Sequence, residues 1–210
     1  MKMILKVSLD EFRQYLRILD ERLSDLRKCN ADFLSRIEFP VEIYAMGGFS
    51  LMYYGLRFSG TEDIDSAKKL EEPIKKLVRE IALEKQLPID WLNDIPATRL
   101  FYELEAYQWQ YSGWEFDNIE LYVIEIQDLL RNKIEVADKM MLQYTDRSSV
   151  RDFDDVESII DKMGCDYESM EDLEHWFKSQ GIRLTDYPNV YDRFQERIDD
   201  DGLYWPDGHI

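Results

Sequence analysis

A glycine pair set between an alternating stretch and a short apolar helix pattern constrains this chain more than any other feature. Val41-Glu-Ile-Tyr-Ala-Met46 alternates and ends on Gly47-Gly48, the period-two pattern of a strand running into a tight turn. Phe49 to Leu56 then reads as a short helix ending near Gly55, and Asp63 to Ala67 as a second short strand. Glycines at a strand-to-helix turn let backbone amides approach a phosphate with no Cβ in the way. Asp63 and Asp65 are spaced i, i+2, so on a strand they point to one face. Two carboxylates on one face can hold a divalent cation, and hard oxygen ligands favour Mg²⁺. Two such ions roughly 4 Å apart can clamp the attacking and leaving oxygens of a nucleotidyl transfer. Asp-x-Asp alone means little in a chain with 44 acidic residues. The order strand, Gly-Gly, helix, Asp-x-Asp is what raises the combination above its parts.

The flanking chain supplies the rest of a fold. Ser8-Leu-Asp-Glu11 is a capping box, and Phe12, Leu16, Leu19, Leu23 and Leu26 behind it mark an amphipathic helix reaching to about Ile37. Leu70 to Gln86 reads as a helix, Leu87 to Asp94 as a loop, and Thr98 to Tyr111 and Asn118 to Ile126 as strands. Helices follow over Gln127–Tyr144, Val150–Met163, Met170–Gln180 and Asn189–Asp199. Strands alternating with helices, then helices only, predict an α+β or α/β body with a helical tail. Charge divides the chain in the same way. Of the net −18, residues 146–210 carry −11, from 7 Lys/Arg against 18 Asp/Glu, and residues 1–145 carry −7. We therefore expect a body over 1–145 and an acidic helical segment over 146–210. The acidity argues against a general nucleic-acid binder, which needs local positive charge. No apolar run approaches the roughly 20 residues of a membrane helix, so no membrane is expected. Cys29 and Cys165 make no disulfide framework, so the expected compartment is the reducing cytoplasm.

At this point the motifs resemble a known family. Gly47-Gly48-Phe-Ser50-Leu, Gly55-Leu-Arg57 and Thr61-Glu-Asp63-Ile-Asp65 are similar to the signature of the DNA polymerase β-like nucleotidyltransferase superfamily, in particular its bacterial abortive-infection toxin group and uncharacterised relatives. Leu87-Pro-Ile-Asp-Trp91-Leu-Asn93-Asp94 resembles a motif of one subfamily. Asp128 to Ala137 resembles the family's acidic-x4-Lys helix, and Arg151-Asp152-Phe-Asp-Asp155 its later Asp-x-x-Asp motif. The likeness covers roughly residues 41–160. It implies an α+β fold with a polymerase β-like core, a small mixed sheet flanked by helices. It also implies a Mg²⁺-dependent enzyme moving a nucleoside monophosphate from an NTP to a hydroxyl on RNA, protein or a small molecule, as toxins of toxin–antitoxin or phage-defence systems do. Gly47, Gly48 and Ser50 would cradle the triphosphate, and Asp63 and Asp65 would bind Mg²⁺. Lys133 would sit near the phosphates or the nucleophile, with Asp152 and Asp155 orienting Lys133 or the substrate.

Two departures stand against that pattern. Ser66 follows the second aspartate where the family has an apolar residue, and the third carboxylate expected on a later strand has three candidates. Glu103 and Glu105 share one face of the strand expected over 98–111, and Glu120 lies on the next strand, directly before the Lys133 helix. Glu120 is preferred. The same departures keep a second reading open, a non-catalytic interaction or regulatory protein that retains the fold.

Other features have plainer readings. The basic run Lys68, Lys69, Lys75, Lys76, Arg79 and Lys85 is offset by Glu71, Glu72, Glu80 and Glu84, and reads as a solvated helix face more readily than a phosphate patch. Tyr102, Tyr107, Trp109, Tyr111, Trp114 and Phe116 can stack on bases but are more often packing. His175 and His209 have no zinc spacing. The acidic tail is a solubilising surface or a dock for a basic protein partner.

Overall fold

The computed structural model describes residues 6–29, 37–99, 103–143 and 147–202. The chain divides after Glu125 into two compact units. The charge step near Thr145 lies inside the second of them.

The first unit is a five-stranded mixed sheet with helices. Helix α1 (Leu9–Cys29) opens on the expected capping box: Ser8 N donates to Glu11 Oε2 at 2.8 Å and Glu11 N to Ser8 Oγ at 3.3 Å. Its stripe Phe12, Leu16, Leu19 and Leu23 is fully buried. The helix was expected to reach Ile37; residues 30–36 lie outside the described residues, and Ile37 itself is not helical. Strand β1 (Val41–Met46) runs straight into α2 (Gly47–Tyr53), followed by β2 (Ile64–Ser66), α3 (Glu72–Lys85) and β3 (Leu92–Asn93). A short helix α4 (Ile95–Arg99), β4 (Trp109–Tyr111) and β5 (Ile119–Ile124) complete it.

The strand order is β3-β2-β1-β5-β4. Strands β1 and β5 pair in parallel, as do β2 and β3, while β1/β2 and β4/β5 are antiparallel. One face of the central pair is apolar: Val41, Ile43, Ala45, Ile119, Leu121 and Val123 join the α1 stripe and Ile74, Val78 and Ile81 of α3 in one core. The other face carries Glu42, Tyr44, Glu120 and Tyr122, all half-buried, which is the alternation of a sheet with one packed face. Asp20 of α1 ties the entry to β5: its carboxylate accepts from Asn118 N at 2.7 Å and Asp117 N at 3.2 Å.

Two sequence expectations need correction here. The stretch 98–111 is not one strand. Ile95–Arg99 is helical, Leu104–Ala106 is a 3₁₀ turn, and only Trp109–Tyr111 pairs with β5. Trp109 Nε1 donates to Leu104 O at 2.9 Å, so the aromatic alternation closes a local turn instead of extending a ladder. The loop expected over Leu87–Asp94 contains β3, whose two residues are too few to show a period.

The second unit is helical: α5 (Ile126–Gln143), α6 (Arg147–Lys162), α7 (Met170–Ser179) and α8 (Pro188–Gly202). Leu130, Ile134 and Ala137 of α5 are buried, as their spacing predicts. Phe194 of α8 packs on Phe153 and Phe177 at ring distances of 4.7 and 6.1 Å. Asp138 of α5 accepts from Asn189 N at 2.8 Å and so caps the start of α8 from a neighbouring helix. No helix among the described residues is long and apolar enough to cross a membrane.

Candidate functional site

The Gly-Gly turn and the acidic pair meet in the first unit. In the β1/β2 ladder Met46 faces Asp65, so the residue after Met46 comes beside that carboxylate. Gly47 has φ +67°, a conformation glycine adopts without strain. A Cβ built on it would lie 3.0 Å from Asp65 Oδ2. A Cβ on Gly48 would lie 2.5 Å from Thr61 Oγ1 and 2.9 Å from Arg57 Nη1. Both glycines thus give room to the loop that returns from α2 toward the aspartates. Met46, at the N-cap of α2, supplies no side-chain cap to the helix amides.

Asp63 and Asp65 are half-buried and alternate with Ile64 and Ser66, which are buried, so both carboxylates lie on one face of β2. Burial, and then the nearby charge of Asp65, Asp90 and Glu62, push the Asp63 carboxyl up to about 7 against the opposing hydrogen bond from Asn93. A carboxyl that holds its proton more firmly folded than unfolded stabilises the fold at low pH, and that contribution is lost as pH rises through about 7. In metal-free buffer the melting temperature should fall between about pH 4 and about pH 7, and Asp63→Asn should remove a part of that fall. An identical pH profile for the variant would contradict it.

Asn93 is not among the sequence candidates, yet it lies beside the pair. In the parallel β2/β3 ladder it faces Asp65. Its Nδ2 donates to Asp63 Oδ2 at 3.3 Å and its Oδ1 accepts from Ile95 N at 2.9 Å. Asn93 is a neutral side chain in a stretch expected to be a loop, where the pattern of carboxylates does not point; the Trp91-Leu-Asn93-Asp94 motif is the sequence signal that marks it. Asp94 is turned elsewhere, to Lys75 Nζ at 2.7 Å and Leu70 N at 3.0 Å.

The three proposed third carboxylates are not brought to the pair. Glu120 faces Glu42 across the β1/β5 ladder, four residues along β1 from Met46, which is about 13 Å at the rise of a strand. It accepts instead from Tyr122 OH at 2.7 Å, which pushes the Tyr122 phenol up to about 12. Tyr122 stacks on Tyr44 at 4.8 Å, and Lys68 pairs with Glu42. Glu103 and Glu105 are exposed, before and within the 3₁₀ turn, and share no strand face. Ser50 also departs from expectation. It is fully buried and its hydroxyl donates to Ala45 O at 3.1 Å, so it serves the β1–α2 turn. Ser66 is buried without penalty because its hydroxyl donates to Lys68 O at 2.8 Å.

Lys133, Asp152 and Asp155 come together in the second unit. Lys133 Nζ lies 2.7 Å from Asp155 Oδ2 and 3.3 Å from Asp152 Oδ1, and both Lys133 and Asp155 are buried. Helix α6 begins at Arg147, so the two aspartates sit past its first turn and outside the reach of its terminal dipole. The Lys133 ammonium is held between the two carboxylates.

Among the described residues no group of three His, Cys, Asp or Glu is placed to hold a metal. The pair Asp63/Asp65 still suits Mg²⁺, which is commonly held by one or two carboxylates plus substrate phosphates. A groove of about 660 Å³ at the far end of β1, lined by Phe39, Glu42, Lys68, Leu70 and Ile74 among others, holds none of the predicted site residues. The aromatic residues pack on one another and on the fold, Tyr44 against Trp109 and Phe49 against Trp114. The Cys165 thiol is buried, which pushes it up to about 11 and makes it inert. His209 lies outside the described residues. Compared with known family models, with curated proteins and with solved structures, the chain gives no match.

Proposed function

We propose that this protein is a metal-dependent nucleotidyltransferase with a polymerase β-like core, moving a nucleoside monophosphate from an NTP to a hydroxyl on RNA, protein or a small molecule. The observation that carries the reading is the meeting of the Gly47 turn with the Asp63/Asp65 face, with Asp65 Oδ2 only 3.0 Å from where a Gly47 Cβ would be. Asp63 and Asp65 would hold Mg²⁺, which when bound offsets triphosphate charge and polarises the phosphoryl group. The Gly47 and Gly48 amides, with no side-chain cap from Met46, are donors for phosphate oxygens. Burial first, and then the neighbouring charges of Asp65, Asp90 and Glu62, make Asp63 hold its proton, and those same neighbouring charges attract a divalent cation.

The test is NTP binding with and without Mg²⁺, in the parent and in Asp63→Ala/Asp65→Ala. The variant should lose the magnesium-dependent part of binding while keeping the fold by circular dichroism. Equal binding with unchanged metal dependence would sink the assignment. Incubation with each labelled NTP and a pool of cellular RNA and protein then identifies the donor and the acceptor class. The sealed Ser50 hydroxyl favours a second reading, a non-catalytic regulatory protein on the same fold. That reading expects no label transfer.

A further inference from the structure

We propose that Asn93 is the third member of the acidic site, a neutral positioning residue that holds Asp63 beside Asp65 so that the pair can take a divalent cation. The inference rests on the metal-binding reading above and adds a residue to it. Three observations carry it. Asn93 faces Asp65 directly across the β2/β3 ladder, so its side chain shares the carboxylate face. Its Nδ2 lies 3.3 Å from Asp63 Oδ2 and 3.4 Å from Asp90 O, and the residue is 7% exposed. Its orientation is fixed: Oδ1 faces the Ile95 amide hydrogen at 2.9 Å and must be the acceptor, which turns the NH₂ group toward Asp63.

This arrangement has a chemical consequence. A hydrogen-bonded carboxylate oxygen is oriented and leaves its partner oxygen for a cation, and outer contacts of this kind commonly change metal affinity by about 10–100-fold when removed. With asparagine in place of a third acid, the site carries two formal negative charges. It therefore depends on the phosphates of a bound nucleotide for the rest of the cation's ligands, as Mg²⁺ sites commonly do.

The alternative role for Asn93 is local: its Oδ1 simply fixes the turn into α4. Aspartate at this position separates the two roles, because it keeps the acceptor for Ile95 N and replaces the donor facing Asp63 with a third carboxylate oxygen. The probe is Mn²⁺ in the absence of nucleotide, titrated calorimetrically into the full chain. Thermal melts of each variant are recorded alongside. Asn93→Asp should tighten Mn²⁺ binding by about tenfold and lower the metal-free melting temperature, and Asn93→Ala should weaken binding by about tenfold or more. If both variants bind Mn²⁺ as the parent does while Asp63→Ala/Asp65→Ala does not bind it, the role of Asn93 is overturned and the metal site stands. If the parent binds Mn²⁺ no better than Asp63→Ala/Asp65→Ala, the metal reading fails and the inference falls with it.

Discussion

Lys133→Met should lower the stability of the helical unit by about 3–5 kcal/mol. The ammonium is buried and lies between Asp155 Oδ2 at 2.7 Å and Asp152 Oδ1 at 3.3 Å. Removing it leaves two carboxylates close together, one of them buried, without the positive charge that lay between them. The loss comes from that uncompensated charge more than from a missing attraction. For that reason Lys133→Met combined with Asp155→Leu should recover much of it, since apolar replacement of a whole buried ion pair is often neutral or stabilising. Urea unfolding gives the magnitude. Hydrogen exchange at α5 and α6 amides gives the location, and the effect should be confined to the second unit. A single variant as stable as the parent would show that the cluster is solvated in solution.

Trp91→Ala should cost the first unit about 3–5 kcal/mol as well, through a different mechanism. Trp91 has no exposed surface, meets Tyr15 of α1 edge-on at 5.9 Å and donates Nε1–H to Val78 O of α3 at 3.1 Å. Truncation opens a cavity between α1, α3 and β2, and removes the hydrogen bond that ties Trp91 to Val78 O. Trp91 also lies two residues before Asn93, and its carbonyl accepts from Ile64 N at 2.7 Å, one residue after Asp63. Mn²⁺ binding should therefore weaken along with stability. Trp91→Phe fills most of the space without the N–H, and should restore packing more than it restores the hydrogen bond. A Trp91→Ala variant within about 1 kcal/mol of the parent would contradict the burial.

Long periodic segments were the readable part of this chain. The capping box, the α1 stripe, β1 with its glycine turn and the apolar face of α5 all have local signals, and the structure forms them where those signals lie. The site was readable in its first half for the same reason, since strand, Gly-Gly, helix and Asp-x-Asp are contiguous. What stayed hidden depended on tertiary pairing. Asn93 matters because a two-residue strand docks beside β2, and no periodicity marks so short an element. Glu120 looked suitable because it precedes the Lys133 helix, but its position is set by a parallel register with Glu42 that lies far away in sequence. Ser50 is a phosphate ligand only as the family likeness implies it; packing shows that its hydroxyl donates to Ala45 O.

The parallel β1/β5 ladder has a consequence for how the chain is made. The two paired strands at the centre of the sheet are separated in the chain by β2, β3 and β4, and the latch between Asp20 and Asn118 spans 98 residues. While the chain emerges from a ribosome, Val41–Met46 gains its β2 neighbour early and waits for Ile119–Ile124, roughly several seconds at ordinary synthesis rates. For that interval one edge of a strand with three core residues is bare, a template for pairing with other nascent chains. Glu42, the second residue of that strand, puts a charge on it, the kind of gatekeeper that discourages such pairing until β5 arrives.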